Sequence, residues 1–88
     1  MIFISLNKTR GKFGKEEIAK ANKFAQTLAK DGVKVLANYW TLGRYDAVWI
    51  YEAPDEKAMM KALLRAGDII ATETLVAVPR EEAVKLVE

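Results

Sequence analysis

The chain has 88 residues, enough for one domain (residues 1–88) with a modest core. It contains neither cysteine nor histidine, which excludes disulfides and thiolate or imidazole metal sites and removes the commonest general base. Fourteen Lys and Arg against twelve Asp and Glu leave a net charge of +2, too small for a nucleic-acid footprint.

Residues 2–6, IFISL, form a short apolar run of strand length. Residues 7–14, NKTRGKFG, are polar with two glycines and read as a loop. Lys8, Arg10, Lys12 and Lys15 make a loose basic cluster there, which reads as a solvated loop because few aromatics interleave it. From Lys15 onward Ile18, Ala21, Phe24, Ala25, Leu28 and Ala29 recur at spacings of three and four, predicting an amphipathic helix closed by Gly32. Residues 33–42 and 45–53 are rich in β-formers. Gly43-Arg44 between them predicts a two-residue type II′ hairpin turn. Pro54-Asp55 ends the second of these strands, and Asp55 can cap a helix whose stripe includes Met59, Ala62, Leu63 and Ala66, closed by Gly67. Residues 69–78 make a fourth strand, and residues 79–88 a short C-terminal helix with Pro79 near its start.

The order β-α-β-β-α-β predicts an α+β, ferredoxin-like fold: a four-stranded antiparallel sheet with two helices on one face, plus the terminal helix. Right-handed crossovers fix its topology. No signal peptide or span of about 18 apolar residues is visible, so the expectation is a soluble, cytoplasmic protein that meets no membrane. Abundant Lys and Glu with a single Gln fit a thermophile.

A type II′ turn would pair Leu42 with Tyr45, Trp40 with Ala47, Asn38 with Trp49 and Leu36 with Tyr51. Alternation then puts Val35, Ala37, Tyr39, Val48 and Ile50 on one face and Leu36, Asn38, Trp40, Trp49 and Tyr51 on the other. The aliphatic set is assigned to the helices. The bare Trp/Tyr face would then match or exceed a typical monomer's largest apolar patch of about 300–600 Å². The expectation is a homo-oligomer, a dimer or larger, in which a second sheet or the C-terminal helix covers it. If the faces are exchanged, Tyr39, Val48 and Ile50 still leave an apolar face to cover.

The stretch YWTLGRYDAVWIYEAPDEKA, with TETLVAV behind it, resembles the GYD domain family, whose Gly-x-Tyr-Asp turn is here Gly43-Arg44-Tyr45-Asp46. The resemblance covers nearly the whole chain. It implies membership of the dimeric α/β barrels, in which two ferredoxin-like sheets face each other, and it brings no established activity. A fainter likeness is to the ligand-binding domain of feast/famine transcription regulators. The helix-turn-helix that precedes that domain is not expected here, since a strand begins at residue 2. A ligand site between protomers is the part of that likeness that carries over.

Gly43 is expected to serve the turn's backbone, and Tyr45 and Asp46 to hold the loop structurally, Asp46 accepting from backbone N–H groups. Asn38 among Trp40, Trp49 and Tyr51 is the sharpest constellation, because a buried amide must find a partner. Those four, with Thr72 and Thr74 from the last strand, are the candidate ligand-binding residues of the barrel. Three functions compete: a non-catalytic barrel binding a small molecule or a partner, a small cofactor-free enzyme of oxygenase or isomerase type using Asn38, Tyr39 or Tyr51, and a structural assembly module. No zinc, haem or nicotinamide cofactor is expected, since His and Cys ligands and a G-x-G-x-x-G motif are lacking, and no Asp-rich loop suggests a carboxylate-held magnesium or calcium ion.

Overall fold

Period-two patterning at the N-terminus, the Asp55 cap and the glycines at chain reversals build a β-α-β-β-α-β chain, seen in a computed structural model that describes residues 1–11, 13–67 and 70–87. The elements are β1 (Ile2–Thr9), α1 (Lys15–Thr27), β2 (Lys34–Trp40), β3 (Ala47–Glu52), α2 (Glu56–Leu64), β4 (Ile70–Ala77) and α3 (Arg80–Ala83). A 3₁₀ turn, Leu28–Asp31, prolongs α1 and another, Val84–Val87, prolongs α3. Gly32 closes the first of these in the left-handed conformation at φ 73°, and Asp55 caps α2 by accepting from the Ala58 N–H at 2.8 Å. Lys12 of the basic cluster, Ile69 of the expected fourth strand and Glu88 of the terminal helix lie outside the described residues.

The sheet runs β2-β3-β1-β4 with every neighbouring pair antiparallel, which is the ferredoxin-like arrangement. Its register sets four-residue rows across the strands. Val35, Tyr51, Phe3 and Val76 form one; Asn38, Trp49, Ser5 and Thr74 the next; Trp40, Ala47, Asn7 and Thr72 a third. Between them, pointing the other way, lie Ala37, Ile50, Ile4 and Leu75, then Tyr39, Val48, Leu6 and Glu73.

The helices cover the aromatic face, so the expected assignment of faces is reversed. Phe3 and Tyr51 are buried with Leu28, Met59 and Ala62, and Phe24, Trp49 and Val35 pack against that cluster. The reason is volume. The inward stripes of α1 and α2 carry alanine at Ala21, Ala25 and Ala62, with Ala66 in the turn just beyond α2, and large sheet side chains must fill the space they leave. The aliphatic face is the bare one, with Tyr39 60% and Leu75 45% exposed.

Three smaller expectations also change. β1 continues through Asn7 and Lys8 to Thr9, where a loop is expected from residue 7. A bulge between Val35 and Ala37 sets Val35, not Leu36, opposite Tyr51, so Val35 joins the core and Leu36 is exposed. The hairpin is longer than two residues: the ladder ends at Trp40 and Ala47, and the last link is Thr41 N–H to the Asp46 carbonyl at 2.9 Å. Gly43 does take a positive φ of 101°. The C-terminal segment does not close over the bare face: among the described residues it packs chiefly on itself, with Val84, Leu86 and Val87 exposed. The long axis of 48 Å is nearly twice the roughly 26 Å that an eight-residue strand spans, consistent with an arm leaving the body.

Candidate functional site

The Gly-Arg-Tyr-Asp turn is a clamp. Asp46 Oδ2 accepts from the Thr9 N–H at 2.8 Å and from the Thr9 hydroxyl at 2.9 Å, while the Asp46 N–H donates to the Asn7 carbonyl at 2.8 Å. These bonds tie the loop to the end of β1. The Thr9 N–H, then the Thr9 hydroxyl, hold the Asp46 carboxyl below its ordinary range. The Tyr45 hydroxyl donates to Glu73 Oε2 at 2.7 Å, reaching β4, and this bond raises the phenol above its usual value. The Arg44 guanidinium lies 5.5 Å over the Tyr45 ring, and the Thr41 hydroxyl donates to the Tyr45 carbonyl at 2.7 Å. The bonds of Tyr45 and Asp46 thus reach two strands, β4 and β1.

Beside this clamp, between the sheet and α1, lies a cavity of about 200 Å³. Asn38, Trp40, Trp49 and Tyr51 all line it. They do so on the helix side of the sheet, not on an open side facing a second protomer, which corrects the expected position of the pocket. Thr72 and Thr74 are not among its lining residues. They share a hydroxyl ladder on β1 and β4, with Thr74 Oγ1 2.7 Å from Ser5 Oγ and 3.0 Å from Thr72 Oγ1.

Phe13 and Phe24 complete an aromatic wall. Phe13 meets Trp40 edge-on with centroids 4.6 Å apart, and Phe24 meets Trp49 in the same way at 6.4 Å. Trp49 and Tyr51 stand 5.9 Å apart. Phe13 and Trp40 are exposed as well as lining, which places them at the mouth. Tyr51 is buried, and desolvation pushes its phenol well above its usual value.

Asn7 is the residue that sequence reasoning missed. It lines the cavity, is 4% exposed, and its Oδ1 is buried without a hydrogen-bond partner among the described residues. In IFISLNKT the alternation places apolar Ile2, Ile4 and Leu6 opposite Phe3, Ser5 and Asn7, so pattern alone points the polar side outward. The structure buries that side instead. Among the described residues no group of three or more Asp or Glu side chains converges as a cation site, and no helix is long and apolar enough to cross a membrane.

A family model, the GYD domain, matches residues 6–87. The fold is similar to the crystal structure of TTHA0845 from Thermus thermophilus, with a TM-score of 0.54 and 21% sequence identity over 88% of this chain and 91% of that one. No curated protein matches the sequence.

Proposed function

The chain belongs to the GYD domain family, and we propose that it is a non-catalytic domain that binds a small molecule and works as a homodimer. The cavity under α1 carries the first part. Its volume of about 200 Å³ exceeds the roughly 150 Å³ of an apolar cavity that holds benzene. A buried amide oxygen without a partner costs stability, and a ligand would supply that partner.

Binding without catalysis agrees with two of the titratable groups around the cavity, Asp46 and Tyr51. General acid–base chemistry needs a group poised near neutral pH. Asp46 is displaced downward and Tyr51 upward, so both move away from that point. The test is tryptophan fluorescence against a panel of ring-sized compounds, since both tryptophans line the cavity. Saturable change accompanied by a raised thermal midpoint is expected. No response to any compound refutes the binding reading.

The second part rests on the bare sheet face. Ala37, Ile50, Ile4 and Leu75 form an unbroken apolar row, flanked by Tyr39, Val48 and Leu6. A second copy offers the same flat aliphatic surface, and two such sheets pack about 10 Å apart. Four strands of about seven residues present roughly 400 Å² in plan, about half of the ~800 Å² that each partner buries in a standard interface. The exposed arm of residues 80–87 supplies the remainder if it crosses to the other protomer. Light scattering is expected to give twice the 9.9 kDa chain mass, and a monomer at micromolar concentration refutes the dimer.

A further inference from the structure

We propose that the cavity's occupant is a single-ring molecule without negative charge, carrying a hydroxyl or similar group that both donates and accepts, paired with the Asn7 amide. This rests on the binding reading above and narrows it to a ligand class. Size sets the first limit: about 200 Å³ suits a guest of one ring with small substituents, a little larger than the benzene held by an apolar cavity of roughly 150 Å³.

The walls set the second limit. Phe13, Phe24, Trp40, Trp49 and Tyr51 are five of the chain's eight aromatic residues, and they line this one space. Flat rings present their faces and edges there, which suits a planar guest. The mouth, where Phe13 and Trp40 meet edge-on, has the same character.

Charge sets the third. Among the described residues the lining carries two carboxylates, Glu17 and Asp46, and neither Lys nor Arg. The Thr9 bonds keep Asp46 ionised at neutral pH. An anion would therefore enter a site whose own lining is negative, with Lys8 acting on Asp46 from outside that lining. A guest without negative charge avoids that cost.

The fourth limit is the polar anchor. Asn7 is nine-tenths buried, and its amide oxygen has no partner among the described residues. An amide offers an acceptor and two donors, and a half-turn about its last side-chain bond exchanges them. A hydroxyl, which does both, can pair with either orientation.

The experiment titrates the full-length chain with phenol, toluene and benzoate, following tryptophan fluorescence and confirming each result by calorimetry. Phenol should bind about tenfold more tightly than toluene, the worth of one well-made hydrogen bond, and benzoate should bind more weakly than either. In Asn7→Leu, toluene should still bind while the advantage of phenol disappears. Retained toluene binding shows that the cavity is intact, so the variant separates a lost anchor from a lost fold. Toluene binding as well as phenol, benzoate binding as well as phenol, or a phenol preference surviving in Asn7→Leu each overturns the ligand class and leaves the binding reading standing. Failure of all three probes overturns the ligand class, and failure of the wider panel with them overturns the binding reading as well.

Discussion

Replacing Asn7 by leucine should make the free protein more stable, although Asn7 lies at the centre of the candidate site. The Asn7 side chain is 4% exposed and its amide oxygen is buried without a partner among the described residues. A buried unpartnered polar atom costs about 1–3 kcal/mol. Leucine has nearly the same shape, so the substitution opens no new cavity and removes that penalty. The main-chain bonds of residue 7 are unaffected: its carbonyl still accepts from the Asp46 N–H, and its place opposite Ala47 and Thr72 is set by the ladder. The expected gain is about 1–2 kcal/mol, or about 4–8 °C in midpoint for each kcal/mol in a domain of this size. Thermal and urea unfolding at one fixed protomer concentration measure it, since the midpoint of a dimer depends on concentration. A loss of more than about 1 kcal/mol refutes the reasoning, because it would show the amide to be satisfied in the unliganded protein, as by an ordered water. A gain in stability paired with a loss of phenol selectivity is the pattern expected where a binding site is maintained against the stability of the fold.

On the bare face, Ile50→Lys sets a charge in the middle of the Ala37, Ile50, Ile4 and Leu75 row and should convert the proposed dimer to a monomer while circular dichroism stays native; an unchanged dimer mass in light scattering counts against sheet-to-sheet pairing. At the hairpin, Gly43 has φ 101°, and a Cβ added there meets nothing within 4 Å, so Gly43→Val costs backbone strain alone, about 1–3 kcal/mol. An unmoved unfolding midpoint would mean that the loop relaxes freely. The carboxyl of Asp46 is depressed by Thr9 in the folded state, so its contribution is complete above the ordinary carboxylate range and lost as pH falls through the lowered folded value. Asp46→Asn should therefore melt earlier than the parent at neutral pH, with the gap narrowing from about pH 4 downward; a gap that does not change with pH would sink the assignment.

Several features of this protein are determined locally and could be read from the chain. Helix α1 and its 3₁₀ extension follow from the stripe of Ile18, Ala21, Phe24, Ala25 and Leu28, the close of that extension from Gly32, and the start of α2 from Asp55. The order of the elements leaves few topologies once crossovers must be right-handed, and the ferredoxin-like sheet is the one found. The grouping of Asn38, Trp40, Trp49 and Tyr51 was legible too, because strand alternation and register put them on one face whatever lies against it.

Which face that is could not be read from the strands, because both faces are apolar and period two is blind to what covers each. Tertiary packing decided it. Alanine-rich helices leave space that tryptophan and tyrosine fill, and the flatter aliphatic face stays bare. The same packing left the cavity under α1, a property of how volumes fail to sum that no single element contains. Asn7 shows the limit most plainly. Its polarity and position in IFISLNKT mark it for solvent, and only the approach of α1 to the sheet turns it into a buried amide beside an aromatic cavity. Local sequence sets which side chains share a face; the fit of helix to sheet sets which of them are deprived of water, and the candidate site arises from the second.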